Sequence, residues 1–330
     1  MTRHLRPLAL MLAASALLAA IPAPAQTGAP PPQQARTTPG YFRTMLGQFE
    51  VTVLSDGTVT IPLRSILTHA HEKTIDGLLR RAWIDPARSE TSVNAFLIHT
   101  GGRLALIDAG AGKLFGPDAG RLVHSLRASG YRPEDVTDVM LTHIHGDHSG
   151  GLTVDGKAVF PNALVHVRRE EAEFWLDAVN KPKTAARHAH AFDQAGRDLA
   201  PYLAAGRVRM FDADGELVPG IRALAAPGHT PGHTLYEIES EGRKLVLWGD
   251  LIHAKDAQFP SPGIAILYDV NEQAAAGRRR AVMAEAAARG HLVGAAHISF
   301  PGIGRVRAEG KGYQWVPLNY SEQGLSRPGG

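Results

Sequence analysis

Apolar and polar residues alternate through Phe49-Glu50-Val51-Thr52-Val53-Leu54, the period of a half-buried strand. Asp56-Gly57 then predicts a hairpin turn into a second strand over 58–62. Residues 63–90 are polar and irregular, with a short helix over 75–83. Two apolar runs, 91–99 and 103–108, predict strands turned at Gly101-Gly102. Leu122, Val123 and Leu126 fall on a helical period within 119–129, and Gly130 stops that helix. Further strands are predicted at 136–141 and 163–167, and helices at 170–177 and 184–205. Short strands follow at 208–211 and 221–225, then a hairpin of 235–239 with 245–248. A long alanine-rich helix spans 272–289, a core strand 292–296, and an edge strand 313–317. Strands fall into two groups, each followed by helices. That order predicts an α/β fold of two packed sheets with helices outside, in one domain over 41–320. No internal repeat is visible, and 321–330 is a C-terminal tail.

The ends of the chain stand apart from this pattern. Arg3 and Arg6 precede an apolar run over 8–20, and Ala23-Pro24-Ala25 offers a small-residue cleavage site. Residues 1–25 thus read as a signal peptide, and export to the periplasm or outside the cell is expected. The apolar run is short for a membrane span, so no stable membrane association is expected after cleavage. Residues 26–40, rich in Pro, Gln and Thr, read as a flexible leader. The formal charge is +3, and losing Arg3 and Arg6 with no acid leaves +1. Such a balance gives no basic face for nucleic acid. The chain has no cysteine, so disulfides are excluded and any metal must be held by imidazole, carboxylate and water.

One stretch carries most of the chemistry: Thr142-His143-Ile144-His145-Gly146-Asp147-His148-Ser149-Gly150-Gly151. It follows an apolar strand and passes into a glycine-rich loop, so its side chains gather at a strand mouth. His143 and His145 project to one side of an extended segment. Gly146 lets the chain turn, so that Asp147 and His148 face a second centre. Imidazole with carboxylate suits zinc, iron or manganese. His229, Asp250 and His297 each follow an apolar run in the same way. Gly-x-Ser-x-Gly is absent, which argues against a serine hydrolase.

The motif resembles the signature of the metallo-β-lactamase-fold metallohydrolases. That resemblance implies an αββα sandwich of two mixed sheets packed face to face. It also implies two divalent metal ions, zinc foremost: His143, His145 and His229 would hold one, and Asp147, His148 and His297 the other, with Asp250 bridging. A hydroxide bridging the two ions would be the nucleophile, making Asp147 and Asp250 the catalytic carboxylates. Asp108, in Asp-Ala-Gly, resembles an aspartate that orients a ligand in this superfamily. Within the superfamily, segments at 114–117, 174–176 and 299–317 look like the methyl parathion hydrolases. This implies cleavage of an organophosphotriester or aryl ester, with N-acyl homoserine lactone hydrolysis as the rival. An iron-dependent redox enzyme on the same fold is a third reading. The resemblance also implies an aromatic rim of Phe115, Trp175 and Phe192 at the mouth of the site. His253, three residues beyond Asp250, is expected on the leaving-group side, in contact with a small-molecule substrate, and the resemblance suggests a homodimer. His233, after Pro231-Gly232, reads as structural. His69-x-His71 and His188-x-His190 end no strand and read as surface histidines.

Overall fold

Strands whose side chains are buried on both faces account for the continuous apolar runs of the sequence. In the computed structural model, which describes residues 38–325, the strand Ser89–His99 turns Ala95 and Leu97 to one core and Phe96 and Ile98 to another. The neighbouring strand Leu104–Ile107 divides its side chains in the same way. Two seven-stranded sheets are formed. The first runs from Tyr41–Leu46 to Val208–Phe211, and the second from Gly215–Val218 to Gly312–Pro317. Val51, Val53, Ile98 and Ile107 of the first meet Tyr236, Ile238, Leu245 and Leu247 of the second in the central core.

The outer face of each sheet is covered by helices. Leu122, Leu126 and Leu199 pack on the first, and Val282, Met283 and Ala286 on the second. Each buried Leu or Met side chain among these stabilises the fold by about 1.5–3 kcal/mol. The result is the αββα sandwich of two mixed sheets expected from the sequence. The helix Glu272–Arg289 has the bounds read from sequence, because both ends are locally coded. The Asn271 side chain accepts from Ala274 N at 3.0 Å, and Gly290 closes the helix at φ 64°.

The expected turn at Asp56 fails. Asp56-Gly57 is no hairpin; Phe49–Ile61 is a single strand with a bulge there. Asp56 is buried, and its carboxylate accepts from the backbone N–H groups of Ala111, Gly120 and Leu122 at 2.8–2.9 Å. Those long-range bonds claim the side chain that a turn would have used. The strands Tyr41–Leu46, Gly215–Val218 and Ile303–Glu309 were not predicted; Tyr41–Leu46 and Gly215–Val218 lie at sheet edges, where the burial signal is weak. The expected signal peptide over 1–25 and the expected leader up to residue 37 lie outside the described residues. Among the described residues, no helix is long and apolar enough to cross a membrane.

Candidate metal centre

Both sheets contribute strand ends to one cleft. Asp138–Met140 of the first sheet leads into His143, and Leu104–Ile107 leads into Asp108. In the second sheet Arg243–Leu247 leads into Asp250 and Leu292–Gly294 into His297, while His229 lies in the loop before Thr234–Ser240. Thr234 N donates to Thr142 O at 2.8 Å, and the Tyr236 hydroxyl to Leu141 O at 2.8 Å, locking the two sheets together at this edge. Gly249 takes φ 52°, and a Cβ there would lie 2.8 Å from His233 Nε2 and from Thr142, so only glycine admits the turn into Asp250.

The seven residues singled out from the sequence converge in two donor sets that share Asp250: His143, His145 and His229 in one, Asp147, His148 and His297 in the other. Within each set the donor atoms lie within 4.8 Å of one another. In the first, His145 Nδ1 is 3.1 Å from His143 Nε2 and 3.0 Å from His229 Nε2. Asp250 Oδ2 lies 3.4 Å from His229 and 3.7 Å from His143. In the second, Asp250 Oδ1 is 3.0 Å from His148 Nε2 and 3.1 Å from His297 Nε2, and Asp147 Oδ2 is 3.4 Å from His297 Nε2. One carboxylate thus turns an oxygen to each set.

Four of the five imidazoles are oriented from behind. His148 Nδ1 bonds Asp108 at 2.8 Å, His229 Nδ1 bonds Asp269 at 2.8 Å, His297 Nδ1 bonds the Ser92 carbonyl at 2.9 Å, and His143 Nδ1 bonds the Thr142 hydroxyl at 3.0 Å. Each partner accepts from Nδ1–H, which leaves an Nε2 lone pair facing the centre. Asp108 therefore does orient a ring, that of His148. Burial pushes the His143, His145 and His229 imidazoles well below their usual range, into the neutral form that metals bind. For His148 burial acts the same way but is outweighed by Asp250, Asp147 and Asp108, which raise it well above its usual range. Burial likewise opposes ionisation of Asp250, yet His148 and His297 hold its carboxyl well below the usual range. A cation among these carboxylates would take over the positive charge that the two rings otherwise supply. His148 Nε2 and Asp250 Oδ1 are buried and, although 3.0 Å apart, neither makes a hydrogen bond of acceptable geometry. The nitrogen–oxygen donor set and these two orphaned atoms fit a pair of divalent ions, with zinc suited to them.

A cavity of about 400 Å³ opens onto Asp147, Asp250 and His297. Phe115 and His253 line it, and His253 Nε2 lies 2.9 Å from Asp250 Oδ2. Trp175 and Phe192 depart from the expected rim. They are 1% and 6% exposed, lie in the core on the outer face of the first sheet, and are absent from the cavity wall. Their helices turn these side chains inward, where the Trp175 ring packs 5.2 Å from that of His145. His188 departs as well: it is buried and lines the cavity, and the exposed His190 lines it too. His69 and His71 are exposed, as expected. His233 belongs to neither donor set and accepts from Asp250 N at 3.1 Å, in keeping with a structural role.

Sequence reasoning missed three residues. Glu171 is a buried carboxylate between the His143 and His229 loops. Asp269 orients His229, and Arg279 supports the same region: fully buried, it donates to Leu251 O and Ile264 O at 2.6 Å, with Nη2 3.7 Å from Asp269. The one signal available was a charged residue on a helix face otherwise facing the core: Arg279 beside Val282 and Met283, Glu171 beside Ala172 and Trp175.

A model of the metallo-beta-lactamase superfamily matches residues 88–291. An N-acyl homoserine lactonase of a Bacillus species is 34% identical over 127 residues, 38% of this chain and 42% of the lactonase. The chain thus matches less than half the length of that relative. A probable metallo-hydrolase of Mycobacterium tuberculosis is 28% identical over 198 residues, 51% of this chain and 60% of the relative. Among solved structures, the hydrolase AbOPH of the beta lactamase superfamily is 35% identical with TM-score 0.83, covering 87% of this chain and 100% of its own. The dizinc quorum-quenching lactonase AidC, solved with the product N-hexanoyl-L-homoserine, is 27% identical with TM-score 0.80, covering 86% and 98%. With the sandwich, the paired donor sets and these matches together, this chain belongs to the metallo-β-lactamase superfamily.

Proposed function

We propose that this protein hydrolyses the ring ester of a lactone bearing an apolar acyl arm, an N-acyl homoserine lactone. The observation that carries the reading is the cavity: it joins the two donor sets to a wall of Val59, Ile61, Ile66, Leu114, Phe115 and Leu267. The lactonases among the similar proteins support it. His143, His145 and His229 would hold one ion and Asp147, His148 and His297 the other, with Asp250 shared. When bound, two such ions supply an activated water and an electrophile for the carbonyl oxygen.

The chain's own groups do the rest. Asp250 is 3% exposed and committed to both sets, whereas Asp147 is 21% exposed and lines the cavity. Asp147 is therefore the carboxylate able to take the proton lost by the attacking water and return it to the departing alkoxide. His253, on Asp250 and on the cavity wall, contacts the leaving-group side. The apolar wall takes the acyl chain and excludes water.

The likeness of 114–117 and 299–317 to the methyl parathion hydrolases, with Phe115 on the wall, favours a second reading: an organophosphotriester or aryl ester. One zinc-loaded preparation should be assayed on acyl lactones of rising chain length, an aryl ester and a dialkyl aryl phosphate. On the lactone reading kcat/KM rises by up to about fourfold per added CH₂, the equivalent of ~0.8 kcal/mol, until the cavity is full. A rate flat in chain length, with faster phosphotriester turnover, gives the second reading instead. Metal analysis finding iron rather than zinc would point to the redox class. We also propose export, with cleavage after Ala25; a mature mass that begins at Met1 would exclude it.

A further inference from the structure

His145 differs from the other four imidazoles of the centre. His143, His148, His229 and His297 each have an outer nitrogen bonded to a polypeptide acceptor. His145 presents Nδ1 to the first donor set and, among the described residues, its Nε2 bonds no protein group. Its ring rests on the edge of Trp175, 5.2 Å away at 62°. Its backbone follows Ile144. Both neighbours are bonded to one carboxylate. Glu171 Oε1 accepts from Ile144 N at 2.9 Å and from Trp175 Nε1 at 2.8 Å. Its Oε2 accepts from the Thr230 hydroxyl at 2.6 Å and from Gly232 N at 2.8 Å, on the loop that carries His229. Glu171 is fully buried, and Gly232 lies so close that a Cβ would meet Glu171 N at 2.4 Å.

We propose that Glu171 is the positioning residue of the first donor set, fixing His145 through Ile144 and Trp175 and tying that loop to the one bearing His229. Three of its four partners are N–H groups that can only donate, so both oxygens must accept. An amide at this position turns an NH₂ toward an N–H whichever way it is flipped. None of the four contacts reaches Asp147, His148 or His297, so the effect is confined to one of the two ions.

The test is metal retention. Glu171→Gln, dialysed against graded chelator, should release one ion at roughly 10–100-fold lower chelator than wild type, the scale for residues that orient metal ligands. The other ion should stay. In a His145→Ala background, where the first set is already broken, Glu171→Gln should cost no further ion. In a His297→Ala background it should still cost one. Equal weakening of both ions, no weakening, or a further loss on top of His145→Ala would overturn the assignment. Should Glu171→Gln not fold, Thr230→Val removes one donor with little change of shape and is judged by the same selective loss.

Discussion

Truncating Trp175 separates a wall residue from a core residue. The side chain is 1% exposed and packs against Phe174 and Phe192 at 4.8 Å, and its indole N–H donates to Glu171 at 2.8 Å. Trp175→Ala therefore leaves a large void and removes one of the donors to a buried carboxylate. Removal of a buried aromatic of this size costs about 3–5 kcal/mol. At 2–4 °C per kcal/mol for a domain of this size, the melting temperature should fall by roughly 6–20 °C. Phe115→Ala is the companion variant, because Phe115 is half-buried and lines the cavity. It should change stability little, while kcat/KM for an aryl ester drops by about 1–3 kcal/mol relative to a short aliphatic ester. The assay is a melting curve beside kcat/KM on both esters, per folded and metal-loaded enzyme. Trp175→Ala should leave the aryl-to-aliphatic ratio unchanged. A shifted ratio with an unshifted melting temperature would return Trp175 to the cavity wall and refute the core assignment.

Two further outcomes are expected. Asp250→Ala should lose both ions, since the carboxylate faces both sets, whereas His233→Ala should keep both and lose about 1–3 kcal/mol of stability, because Asp250 N is left buried and unpaired; metal counting on the two variants decides it. At the start of the strand that leads into His143, burial raises the Asp138 carboxyl, but His166, Arg103 and Thr137 outweigh it and lower its pKa from 3.8 to about 2. A carboxyl lower in the folded state stabilises above its unfolded pKa and loses that contribution as pH falls through the folded value. Asp138→Asn should thus cost about 2 kcal/mol at pH 7, with the gap to wild type closing between pH 4 and pH 2; a gap independent of pH in urea melts would disprove the linkage.

The sequence by itself determined what is local. His143, His145, Asp147 and His148 sit within six positions, so one strand end and one turn bring them together. The alternation of strand residues and the caps of Glu272–Arg289 are likewise coded by neighbours. His229, Asp250 and His297 were legible because each repeats the same pattern of an apolar run followed by a donor. Only the tertiary structure decided what orients those donors. The acceptor behind His148 is 40 residues away, that behind His229 40, and that behind His297 205. The last is a backbone carbonyl, a group every residue possesses, so no side chain announces it. Trp175 and Phe115 are both apolar aromatics, and which of them meets the cavity depends on how the helix of Trp175 is turned against its sheet and on where the loop of Phe115 lies, rather than on residue type. His188 reads as a polar surface residue until the wall of the cavity closes around it. Asp56 shows the same limit: Asp-Gly codes a turn locally, but three backbone N–H groups 55 to 66 residues away hold its carboxylate inside a continuous strand. Local propensity for a turn is worth far less than three satisfied donors on a buried charge, and those donors exist only once the fold has formed.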